Sequence, residues 1–458
     1  MSIPHMDIDR MVHFGRRMAL EGRVPLALEV LGMGVQCDIK QGINVFDKLD
    51  NVETVSRHYE EMAESTRDWA RLEPHPPMPA EGEKIRVAYV QSNLLDDTNP
   101  QSQRLKGVLK YHNRDRFESA VFSTEELAER PYPLFGISQA LANSRLRAPK
   151  LVEWLISREI GLYVDANTGT MLDNAYRTAH AIQGFKPHIV VYQGTPACPV
   201  LCLLAAWKLA PVQVNINTGV PMHIDGLDAT IYFNEKRRAG DESKCKSDKG
   251  LRRTFYTGID IQEPVGPVPD GTPQKRTPDQ VILITASNHV GARFTPEFMG
   301  VMVGALKKHP NALYFIVGGT PLDKQMKFFA EAGVASQVAF LGIATQVREV
   351  LQVGDIYVNE FPIGGAQAVI EAMSLGIPVV ATHYSDKHQH SCGAGYVGPF
   401  AIKPHDIREY ADYLDSLIGD EMFRRKRSAE TLARVNEHFA YHNNIKQYED
   451  LYEELITG

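Results

Sequence analysis

The chain has 458 residues, 43% hydrophobic and 23% charged, which is ordinary globular composition with length for two or three domains. A formal net charge of -7, from 49 Lys and Arg against 56 Asp and Glu, gives no electrostatic case for a nucleic-acid binder. The cysteines Cys37, Cys198, Cys202, Cys245 and Cys392 form no C-x-x-C pair, no basic-then-apolar leader opens the chain, and no window reaches the length of a membrane span. Free thiols in a soluble, cytoplasmic protein are the expectation.

From the start to about Arg71 the apolar residues fall at helical spacing, in DIDRMVHFGRRMALEGRVPLALEVL and again in VETVSRHYEEMAESTRDWARL. Residues 1–75 read as a small helical domain, closed by the Pro-rich EPHPPMPAEGE. The pattern then changes. KIRVAYVQS, ESAVFST, GLYVDAN, HIVVYQG, VQVNINT and ATIYFNE read as strands, with helical segments such as APKLVEWLISREI and LDNAYRTAHAIQGF between most of them. A second Pro- and Gly-rich linker, EPVGPVPDGTPQKRTPDQ, separates these from QVILITAS, ALYFIVGG, QVAFLG, DIYVNEF, IPVVATH and FAIKP. Helical sequence from IREYADYLDSLI to YHNNIKQYEDLYEELI ends the chain. Strands alternating with helices predict two α/β domains in tandem, over 84–262 and 278–440, each with a parallel sheet, and a last helix over 441–458. Ligands of such sheets bind outside the carboxyl ends of the strands, so a cleft between the two domains is expected. The second domain lacks G-x-G-x-x-G after its first strand, which weakens a nicotinamide or flavin reading.

The stretch most informative for chemistry is FPIGGAQAVIEAMSLGIPVVATHYSDKH, 361–388. It should leave a strand near Glu360, turn through Gly364 and Gly365, and start a helix at Ala366 whose N–H groups and dipole favour an anion such as a diphosphate. Gln367 and Glu371 lie four apart on one helix face, where Glu371 could accept hydrogen bonds from a ribose diol. Taken alone, the stretch reads equally well as a Gly-rich strand-to-helix turn with Glu371 paired locally.

This stretch resembles the nucleotide-binding motif of the inverting GT-B family that holds the protein O-linked N-acetylglucosamine transferases and the bacterial adhesin N-glucosyltransferases, the latter branch especially. The resemblance covers about 84–404 and implies two Rossmann-like domains facing a cleft. Glu371 stands where that family has a ribose-binding aspartate, and Gln367 where it has a polar donor contact. RVAYVQSNLLDDTNPQSQRLKGVLKYHNRDRFESAVFST looks like its first strand, loop and helix; Asn99 and Gln103 stand where a histidine is common, leaving Asp96 or Asp97 as candidate bases. LAPVQVNINTGVPMHIDGLDATIYFNE is similar to its cleft-facing loop, with His223 and Asp225 as polar side chains that could meet the acceptor or the donor phosphate, and as further candidate bases. In ASNHVGARFTPEF, Arg293 takes the place of a lysine on the diphosphate, with Asn288 and His289 behind it; a cation is wanted there because the leaving diphosphate gains charge. GIATQVREV places the nucleobase at Ile343 to Val347. His383, His388 and His390 are read as hydrogen bonders rather than metal ligands, His388 being the donor contact, because GT-B enzymes generally work without a metal.

The resemblance implies transfer of glucose or N-acetylglucosamine from a UDP-sugar to an acceptor, a protein or peptide side chain first, a glycan or small molecule second. Nothing in the sequence forbids an oligomer. Three other readings are open: a non-catalytic nucleotide-sugar-binding scaffold, a sugar-nucleotide epimerase, and a retaining glycosyltransferase with an E-x7-E pattern. For the last, Glu371 would need an acid at Ile363, and Glu360 lies three residues too early.

Overall fold

The computed structural model describes residues 8–40, 49–94, 99–126, 149–218, 221–233, 235–244, 250–255, 257–275, 277–287, 290–319, 322–344, 346–383, 392–403 and 406–458. The chain forms two compact units, one of residues 1–256 and 445–458, the other of residues 257–444.

Unit 1 opens with α1 (Ile8–Leu20), α2 (Val24–Lys40) and α3 (Leu49–Ala70). It continues as β1 (Ile85–Gln91), α4 (Pro100–Tyr111), β2 (Phe117–Ser123), α5 (Pro149–Ser157), β3 (Gly161–Val164), α6 (Met171–Phe185), β4 (Ile189–Gly194), α7 (Pro199–Trp207), β5 (Val212–Asn217), β6 (Ala229–Tyr232), α8 (Glu235–Lys244) and β7 (Leu251–Thr254). The sheet order is β3-β2-β1-β4-β5-β6-β7, with every pair parallel. β1 and β4 are buried almost throughout, as strands covered on both faces must be. The chain builds outward from β1 to β3 and then restarts at β4 on the other side, which puts the switch point between β1 and β4.

The N-terminal helices are part of this unit. Leu28, Leu31, Tyr59 and Met62 share one core with Leu201, Leu204 and Trp207 of α7. The Tyr59 hydroxyl donates to the Pro196 carbonyl at 3.0 Å and Trp207 Nε1–H to the Ala63 carbonyl at 3.1 Å, so the two ring polar groups stay satisfied when buried. Glu126 reaches the start of α7 and accepts from the Val200 and Leu201 N–H groups at 2.7 and 3.3 Å, a carboxylate at a positive helix end. On the other sheet face, Tyr89 and His112 Nε2 share a hydrogen bond of 2.5 Å, and His112 Nδ1–H donates to Glu449 at 3.1 Å. Glu449, with the buried Tyr448 and Tyr452, comes from the chain's last helix.

Unit 2 comprises β8 (Val281–Ala286), α9 (Val290–Arg293), α10 (Pro296–Lys308), β9 (Ala312–Val317), α11 (Asp323–Glu331), β10 (Val338–Gly342), α12 (Val347–Leu351), β11 (Ile356–Val358), α13 (Gln367–Ser374), β12 (Val379–Val380), α14 (Cys392–Val397), α15 (Ile407–Gly419) and α16 (Glu421–His438); α17 (Tyr441–Thr457) begins here and ends in unit 1. Its five strands are parallel in the order β10-β9-β8-β11-β12, with the switch point between β8 and β11. One core, with Phe298, Leu306, Tyr314 and Tyr410, covers one sheet face; the other, with Ile282, Phe315, Ile370 and Phe439, covers its opposite.

The strand expectations hold with two exceptions. FAIKP makes one bridge, Thr382 to Ile402, and is no strand. LRRT forms β7, a four-residue edge strand whose two arginines hid it from a search for apolar runs. Ile259 belongs to unit 2, because its N–H bonds the Phe439 carbonyl at 2.7 Å and its carbonyl accepts from Tyr441 at 3.1 Å. Among the described residues no helix is long and apolar enough to cross a membrane.

Candidate active site

Of the donor-site residues expected from the sequence, Arg293 and the turn over 364–367 follow β8 and β11, the strands at the switch point of unit 2, whereas Ile343 and Val347 follow β10 at the sheet edge. Thr285, at the end of β8, hydrogen-bonds the Val358 carbonyl of β11 at 2.6 Å and accepts from the Tyr314 hydroxyl at 2.8 Å, so the two strand ends are cross-braced. The chain leaves β8 through Ser287 into the short α9, which ends on Arg293. Thr295 then caps α10, accepting from the Phe298 N–H at 3.2 Å, and Pro296 fills the first helical position. The Thr-Pro of the sequence motif is thus a helix start that fixes where Arg293 leaves the backbone.

From β11 the chain runs through Asn359, Glu360, Phe361, Pro362 and Ile363 to Gly364 and Gly365. Asn359, 3% exposed, ties this loop. Its Oδ1 accepts from the Gly365 N–H at 2.8 Å, and its amide lies where a Cβ on Gly364 or on Gly393 of α14 would fall. The Asn359 carbonyl is itself bonded by the Tyr410 hydroxyl at 2.7 Å. Glycine is required at 364 and 393 for close approach, and the Gly365 N–H is spent inside the loop instead of on a ligand. α13 starts at Gln367 with no side-chain cap and no acid in its first turn, so its positive end carries no carboxylate of its own. It ends at Ser374, and Gly376, just past its C-cap Leu375, has a φ of +72° that turns the chain toward β12.

The two loops meet through an ion pair. Arg293 Nη1 donates to Glu360 Oε1 and to Ser287 Oγ, each at 3.0 Å. The Glu360 side chain is fully buried while Arg293 remains 22% exposed. Burial pushes the Glu360 carboxyl above its usual value against the pull of Arg293.

Glu371, 3% exposed, lies one turn into α13 and faces Arg348, the residue after Val347. Burial lowers the Arg348 pKa; Glu371 is the strongest of the carboxylates that oppose it. Arg348 also donates to the Asp260 carbonyl at 3.2 Å. The expected nucleobase stretch and the expected ribose carboxylate are therefore neighbours, since α12 packs on α13. Ile343 is 57% exposed and Ile363 45%, two apolar side chains open to solvent on the loops after β10 and β11. Asn288, His289, Thr345, His388 and His390 lie outside the described residues. His383 is described, its N–H bonded to the Ile402 carbonyl at 3.0 Å. Among the described residues no group of three His, Cys, Asp or Glu is placed to hold a metal.

In unit 1, Asp96 and Asp97 lie outside the described residues. Asn99 caps α4, its Oδ1 accepting from Gln101 at 2.9 Å. His223 is buried at 7% exposure on a loop held to α3, where Ser56 Oγ accepts from the His223 N–H at 3.2 Å and Glu60 accepts from the Asp225 N–H at 2.7 Å. The Asp225 side chain is exposed. At the end of the unit 1 switch point the structure adds a pair the sequence reading missed, Gln91 and Gln193, buried register partners on β1 and β4. Their signal was present: each is a polar residue at the carboxyl end of a largely apolar strand.

Residues 292–420 match the family model described as glycosyl transferases group 1. No curated protein matches the chain. Among solved structures, an O-GlcNAc transferase mutant of Thermobaculum terrenum is 16% identical, covers 98% of this chain and 84% of its own, and superposes with a TM-score of 0.60. A glycosyltransferase of Rickettsia africae is 14% identical, with 82% and 99% covered and a TM-score of 0.59. Anabaena HepE, solved with UDP and glucose, is 13% identical, with 81% and 100% covered and a TM-score of 0.56. At these identities the likenesses establish the fold, two Rossmann-like domains of GT-B type.

Proposed function

We propose that this GT-B glycosyltransferase moves glucose or N-acetylglucosamine from a UDP-sugar to an acceptor, a protein side chain, with inversion at the anomeric carbon. The carrying observation is the pairing of Arg293, from the β8 loop, with Glu360 of the β11 loop, which leads into the uncapped start of α13, at the switch point of one sheet. A cation and a helix N-terminus together suit a diphosphate, and both act most strongly as the leaving group gains charge. Glu371 accepts the ribose hydroxyls and the Ile343 to Val347 stretch seats the base, with Gly364, Ala366 and Gln367 flanking the phosphates. The Anabaena structure solved with UDP and glucose supports UDP as the nucleotide. Likeness to an O-GlcNAc transferase over 98% of the chain, N-terminal helices included, supports the protein acceptor. Inversion is supported by the apolar Ile363 at the place an E-x7-E pair would need an acid. Among the candidate bases Asp225 keeps an exposed carboxylate, so it is favoured over the buried His223. Arg293 and the helix dipole meet the leaving charge, so no metal takes part in this reading.

Calorimetry with UDP, GDP, ADP and UMP tests the donor site. Selective UDP binding, weakened at least tenfold in Arg293→Ala and Glu371→Ala, is expected; preference for another base removes the UDP assignment. The anomeric configuration of the product, read by NMR, tests inversion. Loss of activity in EDTA would remove the metal-free reading, and loss of turnover in Asp225→Asn with UDP affinity unchanged is expected if Asp225 is the base.

A further inference from the structure

The Arg293 cation, on which the donor reading rests, is not left to the ligand. It is joined to Glu360, a side chain with no exposure, through one guanidinium nitrogen. Glu360 Oε2 is also buried and has no hydrogen-bond partner among the described residues. A carboxylate so placed has two consequences. It fixes the guanidinium by its Nη1 edge and leaves the rest of the fork to turn outward. It also cancels much of the positive charge that a diphosphate would meet, and like charge next to an anion site lowers affinity. A device meant only to bind the diphosphate tightly would omit the acid.

We propose that Glu360 is a positioning and charge-setting residue for Arg293: it holds the guanidinium in place while weakening the hold on the nucleoside diphosphate product, so that UDP leaves between turnovers. The proposal rests on the donor reading above. Transfer needs the cation when the bond to the sugar breaks, but a product held equally well would block the next cycle, and release limits turnover in many transferring enzymes.

The test uses the full chain and UDP, with affinity from calorimetry and dissociation from stopped flow. Arg293→Met should weaken UDP binding at least tenfold. Glu360→Gln keeps an oxygen for Arg293 Nη1 but removes the charge; UDP should bind about tenfold tighter and leave correspondingly more slowly, with kcat and donor KM both reduced. Glu360→Met removes charge and hydrogen bond together and should tighten binding by less. In the Arg293→Met background no cation remains for Glu360 to offset and burial favours the uncharged carboxyl, so Glu360→Gln should there change affinity less than twofold. If wild type binds UDP and Arg293→Met loses it, but both Glu360 variants melt like wild type and bind UDP no better, Glu360 is only structural and the proposal is overturned. If wild type binds no UDP, the donor reading fails first and takes the proposal with it.

Discussion

Asn359→Ala should loosen the β11 loop by an amount the contacts fix. The change removes the acceptor of the Gly365 N–H, a bond of 2.8 Å within a loop that is buried at both Asn359 and Gly365. Leaving a buried N–H unsatisfied costs about 1–3 kcal/mol. The lost amide also leaves a small void against Gly364 and Gly393, roughly 1 kcal/mol more. A total of about 2–4 kcal/mol should lower the unit 2 melting temperature by roughly 5–15 °C for a domain of this size. The same geometry predicts a coupling. A Cβ on Gly393 would collide with the Asn359 amide, whereas its next neighbour, the Gly365 carbonyl, lies at a tight 3.2 Å. Gly393→Ala should therefore be severe alone and much milder in the Asn359→Ala background, a departure from additivity of about 1–3 kcal/mol. Calorimetric melting of wild type, both single variants and the double variant measures this cycle. Additive effects, or an Asn359→Ala shift under 2 °C, would refute the account of Asn359 as the knot of the loop.

Other predictions concern unit 1. Glu126→Ala strips the carboxylate from the start of α7 and should cost about 2–4 kcal/mol, read as a lower unfolding midpoint in urea. Burial works to raise the Glu449 carboxyl, but hydrogen bonds from His112 and the Asn113 N–H outweigh it and hold the group below its ordinary value. Its folded pKa is depressed, so its contribution is complete above about pH 4.5 and is lost as pH falls through the lower folded value; Glu449→Gln should flatten the acid limb of the stability profile. Burial pushes the Cys198 thiol up to about 12 and the Cys202 thiol well above its ordinary range. Both should resist a thiol reagent at neutral pH in the folded chain and label only as fast as unit 1 opens; rapid labelling at either position, found by mass spectrometry, would contradict their burial.

Much of the fold was legible because parallel strands buried on both faces write themselves as apolar runs, and the helices between them as period-3.6 stripes. Units were harder. α1–α3 are amphipathic and set off by a Pro-rich linker, which reads as a domain, yet their apolar faces close on α7 across more than a hundred residues of sequence. The Gly364 to Glu371 turn was legible because its glycines and helix start are local. The partner of Arg293 was not: Glu360 lies 67 positions away, and sequence spacing served only to judge it as half of an E-x7-E pair. Nor was Asn359 legible, since an asparagine after a strand has the same signature whether it knots a loop or faces water. His223 illustrates the reverse, a polar residue on a loop that looks exposed in sequence but is buried beside α3.

The last helix bears on how the protein is made. Tyr448, Glu449 and Tyr452, which complete the core around Tyr89 and His112, are translated after the whole of residues 257–444. On the ribosome unit 1 must therefore wait, with the cluster of Tyr89 and His112 lacking its last helix, while unit 2 is synthesised and is free to fold first. A chain truncated before residue 445 by a premature stop would leave unit 1 without the Tyr448, Glu449 and Tyr452 side chains that close the cluster of Tyr89 and His112, exposing buried aromatic surface to chaperones and proteases.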